Sequence, residues 1–388
     1  MSNTTEIKIR WATWWPIPYW NERFNSLART EEIDLEVVFL TAASQLLPLS
    51  KARDNWNFKY SIVRNITSHV GYAKFLFRVP KPWGLLKGDY DLLVMPYGDP
   101  DYVAAAILSK ILGRPYCLYM TNNLFDHRPS SLFRERVKRF ICKNAIGALS
   151  TGPSQTEYAR HYFRKEDIRQ VGNPAPGLKN LNIMLRNPGR SSIRNLLGWD
   201  RSLVILFVGR LAKEKGLDTL LDALRYMKAR GIRVRTVLVG EGPMEEYLRK
   251  VTETECLDVD FAGFLEGTEL TKRYIAADIF VLPSHSEPWG LVVNEAMEAG
   301  LPIVVSDRVG AKDALVHHGE NGFIFDSGGS SKLASAIIEL VDNGNLRNRM
   351  AKNSLKIIRN CSIDAWVEAV SSSLGHFLKI WQARRGYR

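Results

Sequence analysis

The sequence predicts an α/β chain of two doubly wound domains, each a parallel sheet covered by helices, facing each other across a cleft. Three observations carry that expectation. The chain has 388 residues, more than one hydrophobic core usually supports. Short β-rich runs alternate with amphipathic helical patterns along it, the signature of βαβ units. Many of those runs are continuously apolar, which suits strands buried on both faces of a sheet.

The elements fall into two series. In the first, IKIRWAT (7–13), LEVVFLT (35–41), DLLVMPY (91–97), PYCLYMT (115–121) and AIGALST (145–151) read as strands. DYVAAAILSKILG (101–113) and SSLFRERVKRFICKNA (130–145) read as helical links between the later ones. The stretch PAPGLKNLNIMLRNPGR (174–190) breaks the pattern with three prolines and two glycines, and places a linker at 176–190 between a first domain, 1–175, and a second, 191–365. The second series is cleaner: SLVILFVG (202–209), VRTVLVG (234–240), VDFAGFL (259–265), DIFVLPS (278–284), LPIVVSD (301–307) and NGFIFD (321–326) are strands. Helices begin near Leu217, Met244, Glu269, Leu291, Ala311 and Ser331. A C-terminal helix, 366–388, offers Trp366, Val370, Phe377 and Trp381 for apolar contact.

Composition is that of a folded protein, 45% hydrophobic and 24% charged. The N-terminus, MSNTTEIKIRWATWW, lacks the basic, apolar and small-residue regions of a secretion signal, and no apolar run is long enough to span a bilayer. Cys117, Cys142, Cys256 and Cys361 match neither a zinc spacing nor a disulfide framework; a reducing cytoplasm is the expected compartment. Residues 1–180 carry 25 Lys plus Arg against 16 Asp plus Glu, a net +9 of the chain's +12. A basic half suits an anionic membrane surface, a phosphorylated substrate or nucleic acid, with a plain solvated surface as the alternative. No nucleic-acid motif is present.

Ligands of doubly wound sheets bind at the carboxyl ends of the strands, so chemistry is expected just after strands. Four clusters stand there. Arg210 and Lys215 follow SLVILFVG ahead of a helix, where a guanidinium, an ammonium and a helix N-terminus suit a diphosphate. Gly240 begins GEGP, where glycine permits a close backbone turn. Gly263 and Phe264 end a strand where a base would fit. In HSEPWGLVVNEAMEAG, Pro288 keeps Glu287 out of the helix, while Glu295 lies within it. Between them Trp289 and Gly290 offer backbone N–H groups at a helix start, suited to anionic oxygen. Each cluster taken alone also reads as an ordinary turn. Glu245 and Glu253 have the same spacing as Glu287 and Glu295 in an unremarkable helix, so spacing alone decides nothing.

Together, VGRLAKEKG, VGEGP and HSEPWGLVVNEAMEAGLPIVVSD resemble, in order and spacing, the donor half of the family-4 retaining glycosyltransferases of the GT-B fold. The resemblance is specific over about residues 200–326. It implies two Rossmann-like domains, with C-terminal helices crossing back to the first, and transfer of a sugar from a nucleotide diphosphate sugar to an acceptor. No cofactor or metal is implied. Arg210 and Lys215 would bind the diphosphate, Glu287 the donor sugar hydroxyls and Glu295 the ribose; Gly290, Leu291 and Val292 would lie by the sugar and phosphates.

The first half departs from the family pattern. Where many members have a glycine-rich loop, this chain has WATWWPIPYWNERF (11–24), whose aromatics suit either an acceptor site or core packing. Where many place a histidine after the strand PYCLYMT, Thr121 and Asn122 stand instead; His127 follows as the candidate catalytic histidine, or as a loop residue. Asp89-Tyr90-Asp91 resembles a D-x-D metal motif but precedes its strand. In FRERVKRFICKN, Phe133, Val137, Phe140 and Ile141 form a stripe read as core, with membrane contact the alternative. Phe75, Phe77 and Trp83 in a basic half point to a lipid-linked acceptor in surface-polysaccharide assembly and to a peripheral place on the inner membrane face. The other functional classes are a nucleotide-sugar epimerase or hydrolase, and a non-enzymatic basic binding module.

Overall fold

A computed structural model of the chain describes residues 6–14, 18–40, 56–63, 82–123, 131–199 and 203–386. It forms two compact units. The first comprises residues 1–176 together with 363–388, and the second residues 177–362.

The first unit is built on a seven-stranded parallel sheet: β1 (Ile7–Thr13), β2 (Ile33–Phe39), β3 (Lys59–Ile62), β4 (Leu92–Met95), β5 (Tyr116–Met120), β6 (Ala148–Ser150) and β7 (Ile168–Gln170). The spatial order is β3-β2-β1-β4-β5-β6-β7. The edge strands β3 and β7 escape a reading by periodicity because they are short and mostly polar, KYSI and IRQ. Nothing about an edge strand demands an apolar run on both faces.

The aromatics of WATWWPIPYWNERF that are described turn mainly into the core. Trp11 is buried on β1, with ring centroids 5.7 Å from Phe24, 5.4 Å from Tyr119 and 5.9 Å from Trp366. Trp20 stacks on Phe24 at 5.0 Å. The fully buried Arg23 guanidinium sits 4.8 Å over the Trp20 ring and donates to the Pro174 carbonyl, so a charge in this core is held by ring faces and a backbone dipole. Trp366 belongs to the helix Ile363–Arg384, which packs on the helix Pro18–Leu27. The C-terminal helix therefore returns to the first unit.

The second unit has six parallel strands: β8 (Val204–Val208), β9 (Arg235–Val239), β10 (Val259–Gly263), β11 (Ile279–Leu282), β12 (Ile303–Ser306) and β13 (Gly322–Phe325). Their order is β10-β9-β8-β11-β12-β13. Every side chain of β8, VILFV, is buried, each such residue contributing about 1.5–3 kcal/mol of apolar transfer. Helices begin at Leu217, Glu245, Gly267, Leu291, Lys312 and Ser330, within two residues of the positions expected from the sequence. The stretch from Pro174 to Arg190 contains the helix Leu181–Arg186 and the start of the helix Gly189–Leu196. The chain runs outward from β8 to β10, then returns to β11 and runs the other way. Between β8 and β11 the sheet thus has a topological switch point, where the loops at the carboxyl ends part and leave a crevice.

One packing expectation is corrected. Along the helix Leu132–Asn144, Ile141 and Cys142 are buried and Val137 packs on the core, but Phe133 and Phe140 are exposed. Phe133 and Phe140 sit on the flank of that stripe, one hydrophobic face being wider than the contact available beneath it.

Candidate functional site

The loops after β8 and β11 meet at the switch point of the second unit. After β8, Gly209 and Arg210 lead into a 3-10 turn, Lys213–Lys215, closed by Gly216. Gly216 adopts φ 65°, and a Cβ there would stand 2.1 Å from the Pro283 carbonyl oxygen, so only glycine lets this turn lie against the β11 loop. The His285 and Ser286 N–H groups both donate to the Glu214 carbonyl, at 2.8 and 3.2 Å. His285 also spans Asp218 and Ser327, at 3.1 and 3.0 Å. The two loops are thereby fixed to each other by backbone and side chain alike.

That docking sets the central contact. Lys215 Nζ lies 2.5 Å from Glu287 Oε2, with side chains 19% and 13% exposed. The two residues are 72 positions apart in sequence. Glu287 is extended, bridged to Val309, and its backbone exchanges hydrogen bonds with Arg308 and Gly310; the following Pro288 fits this non-helical conformation. Arg210 is exposed at the head of the same β8 loop.

Gly290, at φ 96°, opens the helix Leu291–Glu298. The first-turn N–H groups of Leu291 and Val292 lack partners within the helix by its geometry and carry the positive end of its dipole. Trp289 is buried beneath this start, its indole N–H donating 3.0 Å to Asn294. Glu295 lies one turn further on and is partly buried. The fully buried Tyr274 donates its hydroxyl to Glu295 Oε2 at 2.7 Å. Burial pushes the Glu295 carboxyl above its ordinary range, and the Tyr274 hydrogen bond partly offsets this.

The neighbouring loops complete the carboxyl edge. A Cβ on Gly240 would stand 2.0 Å from the Gly209 carbonyl oxygen, which binds the β9 loop close to the β8 loop. Gly263 ends β10 at a shift of strand register, and the Phe264 ring after it is exposed. All these candidates except His127 therefore stand at a strand end, in the loops after strands or in the first turns of a helix, on one edge of one sheet. His127 lies outside the described residues. A cavity lined by Arg190, Arg194, Asp278 and Arg347 is on the opposite edge, by the amino ends of β11 and β12.

Two positioning residues carried no sequence signal. Tyr274 reaches Glu295 from a different helix, 21 residues away, and the partners of His285, Asp218 and Ser327, lie 67 and 42 residues away. The Asp89 and Asp91 carboxylates are both engaged by Lys8, Asp91 through the Lys8 backbone N–H at 2.8 Å and Asp89 by an ion pair. This accounts for the D-x-D pattern as a tie to β1. Trp83 is exposed; Phe75 and Phe77 lie outside the described residues.

The chain is similar to known proteins over much of its second unit. The family described as Glycosyl transferases group 1 matches residues 190–357. Alpha-D-kanosaminyltransferase of Streptomyces kanamyceticus is 28% identical over 263 residues, 64% of this chain and 67% of that protein. Sulfoquinovosyl transferase SQD2 of Arabidopsis thaliana is 32% identical over 214 residues, 55% of this chain and 38% of that protein, so the match spans well under half of the plant enzyme. The crystal structure of Anabaena HepE in complex with UDP has the same fold, with a TM-score of 0.75 at 21% identity, covering 95% of this chain and 100% of that one.

Proposed function

We propose that this chain, whose residues 190–357 match the family described as Glycosyl transferases group 1, is a retaining glycosyltransferase. It moves a sugar from a nucleotide diphosphate sugar to an acceptor, for which a lipid-linked glycan in surface-polysaccharide assembly is the leading class. The observation that carries this is the Lys215–Glu287 contact at the switch point, beside a glycine-opened helix start. A cation, a carboxylate and free-standing N–H groups within one crevice suit a diphosphate joined to a polyhydroxyl group.

In this scheme Lys215 and Arg210 neutralise the charge that develops on the departing diphosphate, with the N–H groups of Leu291 and Val292 adding the helix dipole. Glu287 accepts hydrogen bonds from the donor sugar and orients its anomeric carbon. The bond from that carbon to the diphosphate oxygen breaks, the acceptor oxygen bonds to the carbon from the same face, and the acceptor proton passes to the departing oxygen. Glu295, held by Tyr274, accepts the ribose hydroxyls, while Gly240, Gly263 and Phe264 border the base. His127 remains a candidate on the acceptor side, tested by His127→Ala. Among the described residues no helix is long and apolar enough to cross a membrane.

Anabaena HepE was solved with UDP and with UDP-glucose, which makes uridine nucleotides the first donors to try. A thermal-shift screen across nucleotide sugars identifies the donor through binding linkage; product analysis with and without acceptor then identifies the reaction. Glycosylated acceptor of retained configuration is expected. Free sugar or an isomerised donor as the sole product would instead establish a hydrolase or epimerase, and stabilisation by oligonucleotides alone would establish a binding module.

A further inference from the structure

The outward face of the helix Leu132–Asn144 mixes large apolar and cationic side chains. Leu132 is 82% exposed and Phe133 74%, with Phe140 also exposed. Arg136 and Lys143 are exposed too, and the spacing 133, 136, 140, 143 places them with the two phenylalanines along one helical line. The helix's acid, Glu135, is half-buried and pairs with Arg139 at 3.1 Å.

The helix Pro100–Ile111 continues this surface. It packs beside the first helix, and Lys110 Nζ stands 4.8 Å over the Phe140 ring. Ile111, 71% exposed, and the exposed Ile107 and Leu112 flank that lysine. Single exposed apolar residues are ordinary on a protein surface; a cluster on two packed helices with cations interspersed is not.

From this arrangement we infer that the two helices form a docking surface for an anionic lipid bilayer, lying flat in the headgroup region without spanning it. The charges choose the occupant. Leucine, isoleucine and phenylalanine side chains reach the acyl boundary, while lysine and arginine stems lie along apolar surface and place their charges at lipid phosphates. This part of the first unit lies in the basic half of the chain, where residues 1–180 carry a net +9. The surface shares no residue with the candidate donor site, and its test does not depend on any transfer reaction.

The test is flotation of the full chain with vesicles of phosphatidylcholine alone or with phosphatidylglycerol added. Binding to the anionic vesicles, weakened by salt, is expected, with little binding to the neutral ones. Arg136→Glu with Lys143→Glu should lower the partition coefficient at least about 25-fold, from about fivefold for each cation. Leu132→Ser with Phe133→Ser should lower it about tenfold or more through lost apolar insertion. Both variants should retain the parent's circular dichroism, since these side chains are exposed. Absence of binding to anionic vesicles, or unchanged binding by folded forms of both variants, would overturn the inference. So would a change in oligomeric state in the variants with vesicle binding left intact, which would assign the surface to a second copy of the chain.

Discussion

Removing the Lys215 ammonium should separate the catalytic role of its ion pair from its structural role. At 2.5 Å, with both partners largely covered, the Lys215–Glu287 pair is stronger than an exposed ion pair yet open enough to exchange Glu287 for a ligand. Lys215→Ala leaves a half-buried carboxylate without this cation, and a cost of about 1–3 kcal/mol in unfolding free energy follows. In the Lys215→Ala background, Glu287→Gln should recover part of that loss, giving a coupling of about 1 kcal/mol or more in a double-mutant cycle followed by urea denaturation. Turnover should not recover. Loss of one donor aimed at the leaving-group charge corresponds to about 3–4 kcal/mol, or 10²- to 10³-fold in kcat, and the double variant should be slower still. Initial rates with the matched nucleotide sugar decide the matter. Lys215→Ala turnover within about threefold of the parent would refute the assigned role, and additive stabilities would refute the coupling.

Three further outcomes follow from the same geometry. Donor affinity, measured by calorimetry across pH, should fall as acid protonates Glu295, starting above the ordinary carboxyl range because burial raises its pKa. Tyr274→Phe removes the hydrogen bond that lowers that pKa, so the fall should move to higher pH. The stability contribution runs the other way: a raised folded-state pKa makes the native state the tighter proton binder, so the contribution from Glu295 is greatest below its unfolded pKa and is lost as pH rises through the folded one. Gly216→Ala should cost more than about 2 kcal/mol in chemical denaturation, combining a left-handed backbone with a Cβ 2.1 Å from a carbonyl oxygen. Trp366→Ala should destabilise the first unit by about 3–5 kcal/mol, read by urea melts of its tryptophan fluorescence.

The second unit was legible because its strands are short apolar runs and its helices start close to the expected places. The candidate site was legible for a different reason: ligand-facing residues in this fold follow strands, and those positions hold Arg210, Lys215, Gly240 and Glu287. Glu245 illustrates what spacing alone misses. It begins a helix and pairs with Arg249 one turn on at 2.8 Å, whereas Glu287 reaches across 72 residues to Lys215. Such a contact depends on sheet order, and sheet order is set by how strands pair rather than by any local pattern. The same holds for Tyr274 beneath Glu295. In the first unit, the aromatic segment left two readings open because tryptophan serves a core and a binding surface equally well; Trp11, Trp20 and Phe24 pack inward around Arg23. The edge strands β3 and β7 left no apolar signature.

The return of Ile363–Arg384 to the first unit has a consequence for biosynthesis. Residues 177–362 form a unit from one continuous segment, so all its residues are in hand before Ile363 is added. The first unit is built from two segments, 1–176 and 363–388. Trp11 and Trp20 must wait for Trp366, some 350 residues later, to cover them. During synthesis the nascent chain therefore carries an uncovered aromatic surface until the helix Ile363–Arg384 emerges, a natural ligand for chaperones. A chain halted before Ile363 would hold every residue of the second unit and an unfinished first, so the helix Ile363–Arg384 acts as the closing step of assembly.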